Sequence, residues 1–170
     1  MSEPYSHRLR ADRLPARRVT AVDLTPDAEA RARIAAALDL SALPAARLSG
    51  SLAPAPADAW AFEGRLQATV VQPCGITLAP VTTAIDETLR RIWSPHAAAT
   101  LEGGEDVEMG DDETEALGAE IDLGAVLVEA LALAIPPFPR APGAALDAPA
   151  AAGDDVRRPF AALGDLLKRD

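Results

Sequence analysis

Cysteine is nearly absent from this chain: Cys74 is the only one in 170 residues. No intramolecular disulfide can form, which is compatible with a reducing compartment. Aromatic residues are also scarce, at three Phe, two Trp and one Tyr. The core must therefore rest on Leu, Ile, Val and Ala. Stacking platforms for single-stranded RNA are few, because Trp60, Phe62 and Trp93 fall at core positions. No window approaches about 18 uninterrupted apolar residues, so no membrane-spanning helix is expected. Residues 1–25 are cut up by arginines and aspartates and contain no signal-peptide core. There is no glycine-rich phosphate loop, since Gly103-Gly104 stands among acids that would repel a nucleotide. The expectation is a cytoplasmic protein with no membrane partner, no cofactor, no bound metal and no small-molecule substrate.

Charge is plentiful but uneven. The net charge is -10. Residues 100–130 hold eleven acids and no base, among them Glu102, Glu105, Asp106, Glu108, Asp111, Asp112 and Glu113. The remainder of the chain sums to about neutral. Residues 1–20 hold five arginines, Arg8, Arg10, Arg13, Arg17 and Arg18, against Glu3 and Asp12. Fifteen of the sixteen basic residues are arginine, a bias that GC-rich coding explains as well as recognition chemistry does.

The length fits one domain with a core that needs no disulfide or metal. His7–Leu9 and Arg17–Leu24 read as short extended segments. Thr25-Pro26 reads as a helix start, a capping hydroxyl followed by proline at the first helical position. That helix runs to about Asp39, with Ala30, Ile34, Ala37 and Leu38 inward, and Leu43-Pro44 breaks it. Leu48, Gly50 and Leu52 alternate with polar neighbours as a half-buried strand that Pro54 and Pro56 end. From Trp60 to Val71 the alternation is clearest: Trp60, Phe62, Leu66, Ala68 and Val70 share one face and Glu63, Arg65, Gln67 and Thr69 the other. One wet face is the pattern of an antiparallel sheet. Val81–Trp93 fits either a helix or a strand, and the threonine pair and the neighbouring strand favour a strand. Residues 96–113 are read as a mobile acidic loop and 141–157 as a flexible linker. Residues 158–170, with Phe160, Leu163, Leu166 and Leu167 at helical spacing, are read as a short helix or docking peptide.

The stretch from Ile121 to Gly143 is the most distinctive. Asp122 can cap a helix start with its carboxylate. Leu123, Val126, Leu127, Ala130, Leu131, Ala134 and Ile135 then recur at helical spacing. Val128 and Leu133 widen the apolar surface, which predicts cover on more than one side. Pro136 and Pro137 stop the helix. Phe138 follows between prolines, and Arg140 stands in the stiff exit as its strong polar donor.

Four blocks, Gln72–Val81, Ile85-Asp86-Glu87, this helix with its exit, and Arg158–Leu163 followed by Leu166-Leu167-Lys168, together resemble the bacterial YceD family, also known as DUF177. The resemblance spans roughly residues 5–168 and marks Cys74, Thr77, Pro80, Asp122, Glu129, Pro139, Arg140, Pro159 and Phe160 as family-motif positions. It implies support of large-subunit (23S) rRNA accumulation and ribosome biogenesis without catalysis. The implied partner is 23S rRNA or a pre-50S particle. The family pattern Cys-x-x-Cys-Leu-x-Pro is altered here, because Thr77 replaces the second thiol. Zinc needs about four good ligands, and only His7 and His96 remain as soft candidates, so zinc is not expected. Nothing in the sequence supplies Cys74 with a base, and a small buried side chain at a strand end is the simpler reading. On a strand, Asp86 and Glu87 point to opposite faces and cannot share an acid–base site.

The expected fold is α+β: an antiparallel sheet of five or six strands with two main helices and a short C-terminal helix, residues 1–140 forming one domain. The candidate RNA or partner contacts are Arg8, Arg10, Arg13, Arg17, Arg18 and Arg140. The first two extended segments, if paired, would put Arg8 and Arg10 on one positive surface. Arg140 is expected either to bind a partner's phosphate or carboxylate or to pair with Asp122, Glu129 or Glu87. The alternative function is an acidic adaptor whose acids engage a basic ribosomal protein without touching RNA.

Overall fold

The computed structural model describes residues 3–97 and 114–145. Most of the acidic stretch 96–113, most of the 141–157 segment, and all of 158–170 with Pro159 and Phe160 lie outside the described residues.

Among the described residues two β-sheets and two α-helices make an α+β fold. Strands β1 (Arg8–Arg10), β2 (Thr20–Leu24), β3 (Ala42–Ala55), β4 (Ala59–Pro73), β5 (Pro80–Ser94), β6 (Thr114–Ala116) and β7 (Glu120–Asp122) alternate with helices α1 (Ala28–Ala37) and α2 (Leu123–Ala134). The larger sheet has the order β2-β3-β4-β5-β6, and β1 pairs with β7 in the smaller one. The purely antiparallel expectation is corrected by β6, which runs parallel to β5, with Ile92 opposite Thr114 and Ser94 opposite Ala116. A long connection precedes β6. It lets the chain enter in the direction of β5, which a tight hairpin cannot do.

Strands β3, β4 and β5 carry the alternation read from the sequence. Leu48 faces Leu66, Leu52 faces Phe62, and Ala46 faces Ala68. Leu48, Leu52, Phe62, Leu66 and Val70 are fully buried, together with Ile34 of α1 and Leu123, Leu127 and Leu131 of α2. On β5 the strand reading of Val81–Trp93 holds, and Trp93 sits opposite Trp60. Two glycines let β3 and β4 approach closely. Gly50 faces Gly64, and a Cβ on Gly50 would stand 2.2 Å from the Glu63 carbonyl oxygen. The β3–β4 hairpin closes through Ala57 and Asp58, both left-handed at φ 59° and 56°, the backbone sign that matches the twist of flanking strands. The wet face is laced by side-chain pairs: Arg47 donates to Asp23 at 2.7 and 2.8 Å, and Arg65 grips Asp86.

Four local readings are corrected. The cap of α1 is Asp27, whose carboxylate accepts from the Ala30 amide at 2.8 Å. Thr25 is not the cap, and Pro26 is buried before the helix begins. Ala30 and Ile34 face inward, Leu38 packs half-buried against the core, and Ala35 joins them in place of Ala37, which is exposed. The helix stops where Asp39 turns left-handed (φ 53°) and the Leu40 amide returns to the Ala35 carbonyl at 2.9 Å, a Schellman closure. Leu43-Pro44 does not break the helix, which has already ended, but lies inside β3. The β3–β4 register shifts between Ala42 and Ala45, and β2 pairs only with Leu48–Leu52. Pro44 thus sits on an irregular edge where its missing amide hydrogen costs no ladder bond. Finally, Leu133 is exposed, so the C-terminal half of α2 is covered on one side only.

Asp122 caps α2, accepting from Gly124 and Ala125 at 2.9 and 3.1 Å. Pro136 and Pro137 follow its end, as the sequence predicts. Glu129 of α2 accepts from Arg91 at 2.7 Å. Arg91 also donates to Glu115 at 3.1 Å, and Glu115 accepts from the Trp93 indole at 3.1 Å. These bonds fasten α2 and β6 to the same end of β5.

Candidate nucleic-acid interface

The five N-terminal arginines divide into two groups. The first two extended segments do not pair, because β1 pairs with β7, with Arg8 opposite Asp122 and Arg10 opposite Glu120. This brings β1 to acids. Arg8 lies 2.7 Å from Glu3, 3.2 Å from Asp122 and 3.7 Å from Glu120. Arg10 lies 2.7 Å from Asp12. Arg13, Arg17 and Arg18, on the connection from β1 to β2, are exposed and make no ion pair among the described residues. Unpaired arginines are the ones whose positive field is available to a phosphate backbone.

Asp122 is the node behind β1. It accepts from the Ser6 hydroxyl, the His7 amide at 2.8 Å and Arg8 at 3.2 Å, besides capping α2. Partial burial pushes its carboxyl up, but the hydrogen bonds from Ser6, His7, Ala125 and Arg8 outweigh burial and hold it below its ordinary value. The backbone of residues 6 and 7 lies so close that a Cβ on Gly124 would meet the His7 nitrogen at 2.5 Å.

Cys74 sits just past β4 and is fully buried. Its Sγ lies 3.3 Å from the Ala141 nitrogen, 3.4 Å from that of Ile76 and 3.5 Å from that of Thr77. The Ala141 amide, the Thr77 hydroxyl and the amides of Thr77 and Ile76 favour the thiolate, while burial opposes it. Together they lower the thiol from 9.0 to about 6. None of these partners is a histidine or a carboxylate. Thr77 supports the Cys74 sulfur by hydrogen bonding through its amide and its hydroxyl. Among the described residues no group of three His, Cys, Asp or Glu is placed to hold a metal ion.

The exit from α2 is strapped to this turn. Gly75 donates to the Pro139 carbonyl at 3.0 Å, Ala141 donates to Cys74, and the Gln72 side-chain amide donates to the Pro136 carbonyl at 3.2 Å. Arg140 is exposed and pairs with none of the three acids considered for it: Asp122 holds Arg8, Glu129 holds Arg91, and Glu87 lies in an open groove of about 460 Å³ between β5 and α2. Asp86, on the opposite face of β5 from Glu87, is held by Arg65. Two exposed apolar side chains flank the strap: Phe138 at 82% and Leu78 at 77%. Leu78 takes a left-handed backbone (φ 61°), uncommon for a bulky residue. Sequence reasoning placed neither in a site. The one available signal was an aromatic residue between prolines just beyond a helix stop.

The family model described as "Large ribosomal RNA subunit accumulation protein YceD" matches residues 62–167. The chain belongs to this family. The match begins in β4 and takes in the Cys74 turn, α2 and the strap, while Arg13, Arg17 and Arg18 precede it. No curated protein and no solved structure matches the chain. Among the described residues no helix is long and apolar enough to cross a membrane.

Proposed function

We propose that this protein is a non-enzymatic cytoplasmic factor that supports accumulation of large-subunit (23S) rRNA by holding rRNA or a pre-50S intermediate. Family membership supports the ribosomal role. The observation that carries RNA contact is the separation of the N-terminal arginines. Arg8 and Arg10 are taken up by acids of the fold, and Arg13, Arg17 and Arg18 are left exposed on one connection. Three such side chains supply sequence-independent, salt-sensitive affinity despite the overall negative charge. Cys74, enclosed and satisfied by amides, serves as a structural tie in this reading, and no residue carries catalysis.

A second reading is favoured by the seven acids and no base of residues 102–113: an adaptor for a basic ribosomal protein. Binding of purified full chain to fragments of 23S rRNA separates the two. Replacing Arg13, Arg17 and Arg18 by Ala is expected to weaken rRNA binding uniformly across fragments and to reduce the salt slope by about two to three. Absence of rRNA binding, with binding to a ribosomal protein that vanishes when the acids of 102–115 are neutralised, overturns RNA contact in favour of the adaptor.

A further inference from the structure

We infer that the strap after α2 is a subsite for single-stranded RNA, in which Phe138 stacks on an unpaired base and Arg140 holds the adjoining phosphate. This inference rests on the RNA-holding reading above and gives that reading a strand preference.

The strap exposes Pro137, Phe138 and Arg140, while Pro136, Pro139 and Ala141 are half-buried. Its backbone is anchored by the Gly75–Pro139 and Ala141–Cys74 hydrogen bonds. Pro136, Pro137, Pro139 and Pro142 restrict the rest. A backbone so restrained has little freedom left to lose when its side chains bind. Phe138 is the most exposed large apolar residue of the described chain, at 82%. Every base offers a π-face to such a ring, whereas a duplex keeps its bases stacked inside.

Charge selects the occupant. The facing segments 73–80 and 136–145 contain no Asp, Glu or Lys, and Arg140 is their only exposed charge, the Cys74 sulfur being buried beneath the strap. Arg140 has no ion-pair partner among the described residues. In a chain of net charge -10, this is a local positive, apolar surface. It is too small for an ordinary protein interface, which covers about 800 Å² per partner. Phe138 and Leu78 fall far short of that, and Leu133 lies further back on α2. Phe138 and Arg140, two residues apart on one restrained segment and both exposed, offer one ring and one cation, which suits one nucleotide step.

The test uses the full chain with a fluorescein-labelled oligouridine strand and, separately, the A-form duplex of oligoadenylate and oligouridylate. Phe138→Ala is expected to weaken the single strand about tenfold and to leave the duplex and the salt slope unchanged, with Phe138→Trp restoring affinity. Arg140→Ala is expected to weaken the single strand and to reduce its salt slope by about one. Both side chains are exposed, so folding is retained, which circular dichroism checks. Equal loss on both RNAs, or no loss from Phe138→Ala while the Arg13, Arg17 and Arg18 variant still weakens binding, overturns the subsite and leaves the RNA-holding reading standing. If Phe138→Ala spares RNA but abolishes binding to a purified ribosomal protein, the strap is a protein contact and the inference fails. If the unaltered chain binds neither RNA at low salt, both readings fall.

Discussion

The Sγ of Cys74 and the backbone nitrogen of Ala141 lie 3.3 Å apart, joining the end of β4 to the exit of α2 across 67 residues of chain. The sulfur does this as an acceptor, so its charge state decides the strength of the tie. The folded thiol titrates at about 6 and its ordinary value is 9.0. Between those values the unfolded chain binds a proton that the folded chain does not, and stability rises with pH. Urea unfolding at pH 5.5, 7 and 8.5 is expected to show that rise, complete above about pH 9 and lost as the pH falls through about 6. Cys74→Ser should abolish this part of the pH dependence. An unaltered slope in the serine variant would refute the thiolate tie.

Asp122 secures two elements with one carboxylate. Asp122→Ala removes the α2 cap and the anchors of Ser6, His7 and Arg8, with an expected loss of about 2 kcal/mol. Asp122→Asn keeps an acceptor and loses only part of this. Because the folded carboxyl lies below its ordinary value, its contribution is present above about pH 3.8 and disappears as the pH falls through the lower folded value. Amide exchange is expected to show β1 opening first in the alanine variant.

Gly50→Ala should destabilise the sheet by about 2–3 kcal/mol. The added Cβ meets the Glu63 carbonyl oxygen at 2.2 Å and the Gly64 Cα at 2.5 Å. Both are backbone atoms of a paired strand and cannot swing aside. Thermal unfolding measures the loss. A variant as stable as the parent would mean that β3 and β4 are further apart than described.

Leu78→Asn is expected to stabilise the protein by about 1 kcal/mol. Asparagine tolerates the left-handed backbone that leucine adopts at a cost of roughly 1–2 kcal/mol, and an exposed leucine gives up little packing. Denaturant midpoints of the two proteins compare this directly.

The parts of the fold that were legible in the sequence are those dictated by neighbours in the chain. Phe62, Leu66 and Val70 against Glu63, Arg65 and Gln67 announce a strand with one wet face. Asp122 and the Pro136-Pro137 pair announce where α2 begins and ends. The misreadings come from distant partners or from two adjacent signals. Nothing near Arg8 says that β1 meets β7, and so nothing says that Glu120 and Asp122 absorb its charge. Thr25 and Asp27 both have capping side chains, and the choice between them depends on Pro26 being buried. Pro44 breaks a helix by local rules and is admitted to β3 because that end has a neighbour on one side only. Phe138 was legible only as an aromatic between prolines, since its exposure depends on the Cys74 turn holding the backbone of the strap.

That mode of attachment separates scaffold from surface. The 136–141 segment is held at its backbone by the Gly75 amide, the Cys74 sulfur and the Gln72 side chain, so folding makes no demand on the side chains at 138 and 140. A change at either position alters the surface alone, while the scaffold beneath it stays put.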